Sequence, residues 1–192
     1  MAQQKQILTP EILEKTVRDV LAGKKTLKDI RGLKNEEMEA CYTAAYNFYN
    51  HGKFIEALHI FTTLCMFDNL NAKYWMGLGA TRQMLKDFSG AVEAYSLATV
   101  LDYTNPKAPF HAADCLLALK QYDRAKMALE AAISIVEMSK TQKKEYKAVA
   151  EQAKNLLELL KKGEKEIKEN KVEQKPTANK AVANKVPVQP KK

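Results

Sequence analysis

The sequence predicts an all-α fold, on two observations of composition and one of periodicity. The 192-residue chain contains only seven glycines and six prolines, and 46% of its residues are hydrophobic, which is enough for a packed core. No stretch alternates apolar and polar residues with the two-residue period of a half-buried strand. Several positions recur with a period of about 34 residues, which indicates repeated helical hairpins.

The repeat period is carried by small and aromatic side chains. Ala57, Ala91 and Ala125 are evenly spaced by one period, and an aromatic residue precedes each alanine by three positions. Helix-turn-helix units of this length and pattern are typical of the tetratricopeptide repeat. We therefore predict three tetratricopeptide repeats, at residues 38–71, 72–105 and 106–139, stacked in a right-handed superhelix.

Small residues in the second unit indicate that its two helices pack closely. Glycine within a helix costs about 1 kcal/mol relative to alanine, so another interaction must offset the presence of Gly79. We expect Gly79 and Ala91 to lie where the helices cross, with Tyr95 filling the space on the far side. Asn71 and Asn105 precede the first helices of units two and three, where asparagine is a favourable N-cap.

A separate N-terminal helical region is predicted at residues 1–37. The sequence Thr9-Pro10-Glu11 is a helix start signal, and Gly23 marks the end of that helix. A short turn should then lead to Asn35 and the first repeat. An apolar stripe on the helix can pack on its own repeats or on a second copy of the chain, and we favour a homodimer interface. The stripe consists of Ile12, Leu13, Val17, Val20 and Leu21.

The C-terminal end of the array also needs a cap, because each repeat buries its apolar face only against a neighbour. Thr141 is a suitable N-cap for a capping helix at residues 140–161. Residues 162–192 are predicted to be a disordered, lysine-rich tail, since they contain three prolines and no aromatic residue. The tail either keeps the chain soluble or makes a weak electrostatic contact. Its lack of aromatic residues argues against nucleic acid as a partner.

The sequence contains no recognisable arrangement for catalysis or metal binding. Cys41, Cys65 and Cys115 are odd in number and form no CxxC pair, which argues against disulfides and zinc and indicates a reducing compartment. His111 and Cys115 are four residues apart, but no second ligand pair is nearby. We therefore expect a protein that is not an enzyme and has no cofactor or metal. Because no signal core or membrane-length apolar segment is found, we expect a soluble, cytosolic chain.

Solenoid repeats offer a concave groove lined by the first helix of each unit. Helix geometry places positions 2, 5, 9 and 12 of each unit on this face. The resulting set contains several aromatic and apolar side chains, which suits an extended peptide with a few bulky anchors. The predicted groove residues are Glu39, Tyr42, Tyr46 and Tyr49 in unit one, Lys73, Met76, Ala80 and Gln83 in unit two, and Lys107, Phe110, Asp114 and Leu117 in unit three.

One common function of tetratricopeptide domains is excluded by these positions. Domains that clamp the terminal carboxylate of heat-shock chaperones need lysine, arginine and asparagine at five defined positions of the three units. Here those positions hold Tyr42, Tyr46, Gly77, Lys107 and His111, of which only Lys107 fits. We therefore expect a ligand that is held by apolar anchors rather than by a terminal carboxylate.

Three longer strings are more specific than the generic repeat positions. These are "YWMGLGA", "LDYTNP" and "FHAADCLLAL", which begin at Tyr74, Leu101 and Phe110. With them the chain, over about residues 9–140, resembles the class II chaperones of bacterial type III secretion, the low-calcium-response-H family. The long lysine-rich tail departs from that family.

The resemblance implies a bacterial cytoplasmic chaperone with a role in virulence. Its partners would be hydrophobic translocator proteins, which it binds through an extended Pro-x-Leu-x-x-Pro-like segment and keeps soluble and secretion-competent. The family's groove corresponds here to Tyr42, Tyr46, Tyr49, Met76 and Phe110. The resemblance further implies homodimerisation through the N-terminal region, with no nucleotide, no nucleic acid and no direct membrane insertion. The alternative is a regulatory or assembly scaffold that binds a transcription activator or a component of the export apparatus.

Overall fold

A computed structural model describes residues 9–139 and 143–173, and within these ranges the chain is all-α, as predicted. The described helices are α1 (Pro10–Leu21), α2 (Leu27–Arg31), α3 (Asn35–Asn50), α4 (Phe54–Phe67), α5 (Ala72–Met84), α6 (Phe88–Leu101), α7 (Lys107–Ala118), α8 (Tyr122–Met138) and α9 (Lys144–Glu173). Helices α3 to α8 form three successive hairpins. Each hairpin packs against the next, and α9 packs against α8.

The first helices of the three hairpins are neighbours in space. Helix α5 contacts both α3 and α7, and α9 contacts α7 as well as α8. Helices α3, α5 and α7 therefore form one inner layer, while α4, α6 and α8 form the outer layer. This arrangement places the repeated positions of the three hairpins side by side, which is the condition for a shared groove.

Side-chain caps and tight turns set the helix boundaries. The side chain of Asn71 accepts a hydrogen bond from the backbone N–H of Lys73 at 3.1 Å, and Asn105 does the same for Lys107 at 3.1 Å. Within each hairpin the turn contains one residue in the left-handed conformation, namely Gly52, Lys86 and Lys120, which are evenly spaced by one repeat period. The repeat period is thus present in the backbone of the turns as well as in the packing.

The hairpins approach closely because glycine leaves room for aromatic rings. A methyl group added at Gly77 would overlap the ring of Phe61, which extends from α4. A methyl group at Gly79 would lie 2.8 Å from the ring of Tyr95 on α6. Both rings are almost completely buried. The sequence predicts Ala91 opposite Gly79 with Tyr95 on the far side, whereas the group nearest Gly79 is the ring of Tyr95 itself. Gly77 forms the equivalent contact with Phe61 between units one and two.

The segment predicted as a turn before the first repeat contains the short helix α2, which corrects the prediction. The backbone N–H and hydroxyl of Thr26 both donate to Asp29, at 2.7 and 2.9 Å, and Gly32 ends the helix in the left-handed conformation. The ammonium of Lys28 lies 3.1 Å from the carboxylate of Asp68 at the end of α4. Because both side chains are largely buried, this ion pair holds α2 against the first hairpin.

The C-terminal helix is longer than predicted. Helix α9 continues to Glu173, whereas the sequence prediction ended it at residue 161 and began a disordered tail at 162. Residues 162–173 are mostly lysine and glutamate, which are good helix formers, so the helix continues beyond the last packed turn. The predicted cap Thr141 and the rest of the predicted tail, residues 174–192, lie outside the described residues.

None of the helices within the described ranges combines the length and the apolar composition that crossing a membrane requires.

We expect Gly77→Ala to lower the free energy of unfolding by about 1–3 kcal/mol, because the added methyl group must displace the buried ring of Phe61. Gly163→Ala in α9 is the matched control, since its methyl group would meet nothing within 4 Å. This control should stabilise the chain by up to about 1 kcal/mol through helix propensity alone. Urea unfolding followed by circular dichroism measures both changes. A stabilised Gly77→Ala variant would contradict the proposed packing.

Candidate peptide-binding groove

The predicted groove residues lie on α3, α5 and α7, the three neighbouring helices of the inner layer. Their exposure differs from one residue to another. The side chain of Tyr46 is 50% exposed, while Tyr42, Tyr49, Met76, Phe110 and Leu117 are half-buried. The inner face therefore presents the edges of most of its apolar side chains and a larger surface only at Tyr46.

Tyr42 is the centre of the first cluster on this face. Its ring stacks on that of Tyr46 with 6.2 Å between the centroids, and it meets the buried ring of Phe61 edge to face at 5.8 Å. The ammonium of Lys73 lies 3.8 Å from the centroid of the Tyr42 ring and 2.8 Å from the carboxylate of Glu39. These contacts join α3 to α5 and hold an aromatic surface at one end of the inner face. Burial raises the pKa of Tyr42, and Lys73 opposes this rise.

A buried tyrosine from the outer layer reaches the middle of the inner layer. The hydroxyl of Tyr95 on α6 donates to the side-chain oxygen of Gln83 at 2.8 Å. Burial raises the pKa of Tyr95, and the nearby Cys115, Tyr49 and Asp114 raise it further. Predicted groove residues of all three hairpins thus lie around one buried phenol. The sequence showed Tyr95 only as a packing residue, because its position recurs as Phe61 and Leu129, which have no polar group.

A further cluster of rings lies around α7 and includes a histidine that was not predicted to line the groove. His111 stacks on Tyr95 at 5.6 Å between centroids and contacts Phe110 edge to face at 5.8 Å. Its Nδ1 lies 3.9 Å from the carboxylate of Asp114, and 39% of its side chain is exposed. The ammonium of Lys107 donates to the carboxylate of Glu145 on α9 at 2.9 Å. The inner face therefore extends onto the first turn of α9.

The apolar stripe of α1 has no partner within the described chain. No residue of α1 is buried, and the predicted interface residues are between 38% and 83% exposed. They are Ile12, Leu13, Val17, Val20 and Leu21. Val20 also borders a cleft of 520 Å³ that is lined on the other side by Met66, Leu70 and Trp75. A contiguous apolar surface of this kind is typical of a protein interface.

The three cysteines belong to no metal-binding cluster within the described residues. Cys65 and Cys115 are buried, and burial raises the pKa of their thiols to about 12 and about 11. Cys41 is exposed on α3. Across residues 9–139 and 143–173, no group of three or more histidine, cysteine, aspartate or glutamate side chains could hold a metal ion.

The fold and its inner face define a helical-repeat protein. The tetratricopeptide repeat family matches residues 38–69 and 72–105. The chain is 30% identical over 141 residues to the low calcium response locus protein H of Yersinia pestis, a match that covers 73% of this chain and 82% of the relative.

The chain is also similar to solved structures of translocator chaperones. PcrH of Pseudomonas aeruginosa, in complex with the chaperone binding region of PopD, is 34% identical with a TM-score of 0.64, covering 69% of this chain and 97% of PcrH. The type III secretion translocator chaperone SycD of Yersinia enterocolitica, in an alternative dimer, is 30% identical with a TM-score of 0.63, covering 69% and 97%. The chain therefore belongs to the low-calcium-response-H family of type III secretion translocator chaperones.

We expect Tyr95→Phe to lower the free energy of unfolding by about 1–2 kcal/mol, because it leaves the half-buried Gln83 without its hydrogen-bond donor. The matched control is Tyr46→Phe, which removes a phenolic hydroxyl from a half-exposed side chain and should change stability by less than about 0.5 kcal/mol. Thermal and urea unfolding test both variants. Equal effects of the two substitutions would show that the Tyr95 hydroxyl has no special structural role.

Proposed function

We propose that the chain is a bacterial cytoplasmic chaperone that binds an extended segment of hydrophobic type III secretion translocator proteins along its inner face. Binding keeps the translocator soluble and secretion-competent. The observation that carries this proposal is the row of half-buried aromatic and apolar side chains across α3, α5 and α7. Relatives support it, because PcrH is bound to the chaperone binding region of PopD and SycD to a peptide of the translocator YopD.

The inner face suits a ligand with several small anchors. A fully buried leucine or valine anchor contributes roughly 1.5–3 kcal/mol, and ordering an extended segment offsets part of that gain. Several anchors are therefore needed for micromolar affinity. The groove residues proposed for this role are the twelve predicted positions: Glu39, Tyr42, Tyr46, Tyr49, Lys73, Met76, Ala80, Gln83, Lys107, Phe110, Asp114 and Leu117.

Binding of this kind is an equilibrium process and involves no chemical step. We propose a non-enzymatic role without nucleotide or cofactor, in which release of the translocator is left to the export machinery. The half-buried rings support this role, because their contacts with Phe61, Tyr95 and one another hold them in place before a ligand arrives. A preorganised surface loses less conformational entropy on binding.

We also propose that α1 forms the homodimer interface. Its exposed apolar stripe has no partner in the described chain, and its last turn continues into the cleft beside Met66 and Leu70. The dimer of the relative SycD supports a homodimer, though not this particular interface. Burying the stripe against a second copy would remove the most exposed of its residues, Leu21, from water.

A second candidate function is a regulatory or assembly scaffold. It is favoured by a separate apolar patch on the outer layer, where Leu97, Val100 and Tyr103 are exposed at and just beyond the end of α6. Such a patch would take a folded partner, for example a transcription activator or an export component, while the inner face remains free for a translocator.

The double variant Tyr46→Ala/Phe110→Ala should weaken binding of a translocator segment by at least about tenfold, because it removes the two rings that apolar side chains of the segment would contact. The measurement is fluorescence anisotropy with a labelled peptide that contains a Pro-x-Leu-x-x-Pro-like stretch, after circular dichroism has verified the fold. Val100→Ala on the outer layer is the control and should bind normally. Loss of binding in the control but not in the double variant would favour the outer patch and contradict the proposed groove.

Val17→Asp/Leu21→Asp should convert the homodimer to a monomer, because two charges would be buried in the apolar interface. The repeats should remain intact, since both side chains are exposed within one chain. Sedimentation equilibrium gives the mass, and the thermal midpoint at low concentration reports on the repeats. The pair Lys15→Asp/Arg18→Asp, on the same helix but outside the stripe, is the control. An unchanged mass of the first variant would exclude α1 as the interface.

A further inference from the structure

Two lysines occupy equivalent positions at one edge of the proposed groove. Lys73 and Lys107 are one repeat period apart and lie in the first turns of α5 and α7. The first turns of these two helices contain no acidic residue, as is also true of α6, whereas those of α3, α4, α8 and α9 each contain one or more. The N-terminus of a helix carries a partial positive charge, so lysine is unfavourable there and a carboxylate is favourable.

Each lysine stands next to the apolar part of the groove. The ammonium of Lys73 lies over the Tyr42 ring at 3.8 Å, and Lys107 precedes Phe110 by one helical turn. Their partners are Glu39 and Glu145, at 2.8 and 2.9 Å, and in both pairs each side chain is between 37% and 56% exposed. Exposed ion pairs are weak, and an ammonium has three donors. A carboxylate on a ligand can therefore join or replace either glutamate at little cost.

We propose that Lys73 and Lys107 select translocator segments in which acidic side chains flank the apolar anchors. This inference rests on the proposed function of the groove. Helices α5 and α7 touch at few points, so their axes are separated by about one helix diameter, roughly 10 Å, and an extended peptide advances about 3.3 Å per residue. The preferred ligand segment consequently carries two carboxylates about three residues apart. Apolar residues of the same extended segment reach Tyr42 and Phe110.

The same lysines also have a structural role that the test must separate. Lys73 joins α5 to α3, and Lys107 joins α7 to α9. A purely structural role predicts that replacing them weakens binding of every peptide equally, or lowers stability alone. A role in selection predicts a change in the ratio of the affinities for acidic and neutral peptides. A loss of stability alone would not change that ratio.

The experiment uses the full chain and labelled peptides that share the same apolar anchors. One peptide has two aspartates three residues apart, the second has asparagines at those positions, and the third has the two aspartates adjacent. The protein variants are Lys73→Met, Lys107→Met and the double variant, because methionine keeps much of the apolar stem without the charge. The control variant is Lys162→Met, which removes one positive charge from the exposed surface of α9, outside the proposed groove.

The wild-type chain and Lys162→Met should bind the spaced aspartate peptide about 3–10-fold more tightly than the asparagine peptide at low salt. In the double variant this affinity ratio should fall below about twofold, whatever the absolute affinity for the asparagine peptide. High salt should also lower the affinity ratio of the wild-type chain, because salt screens the charges.

Equal affinities of the wild-type chain for the aspartate and asparagine peptides would overturn the inference while leaving the groove function intact. An undiminished ratio in the double variant would overturn it as well, and an equal preference for the adjacent aspartates would overturn the spacing. If the wild-type chain binds none of the peptides, the proposed groove function fails, and the charge selection fails with it.

Discussion

The close approach of helices at Gly77 and Gly79 is the constraint on which the rest of the structure depends. Because neither residue has a side chain, the rings of Phe61 and Tyr95 reach from the outer layer into the space beneath the inner layer. Phe61 then supports the Tyr42 ring, and Tyr95 brings its hydroxyl to Gln83. A bulkier residue at either glycine would therefore disturb the inner face through the rings that support it, although neither glycine is a proposed ligand contact.

These supporting contacts explain why the apolar side chains of the inner face are only partly exposed. The Tyr42 ring contacts Phe61, Tyr46 and the Lys73 ammonium at once, so little of its motion remains to be lost when a ligand binds. The same contacts consume part of its apolar surface. These contacts reduce the exposed apolar area of the Tyr42 ring but preorganise it, whereas Tyr46, which stacks on that ring, supplies the larger exposed surface. An extended ligand compensates by using several such sites along the face.

The repeat period made most of the fold predictable, and deviations from it mark what the sequence did not show. Small residues and the caps Asn71 and Asn105 repeat regularly, so the close approach at Gly79 and the helix starts could be located, but Tyr95 as the partner of Gly79 could not. Helix α2 lies outside the repeats and depends on the local pair Thr26–Asp29, a signal easily mistaken for a turn. The proposed groove positions followed from helical spacing. Their individual exposure did not, because it depends on how far rings from the outer layer extend.

A chaperone for hydrophobic proteins must itself stay soluble, and the distribution of apolar surface suggests how. On the inner face most apolar side chains are half-buried, and polar groups such as Gln83, Lys73 and Asp114 lie between them. An empty groove therefore exposes no broad, contiguous apolar surface that would cause aggregation. The stripe on α1 is different, since it is continuous and Leu21 is 83% exposed. Continuous apolar surface favours permanent burial, whereas interrupted surface permits reversible binding. This physical difference matches the two proposed roles, a lasting interface for the stripe and reversible ligand binding for the groove.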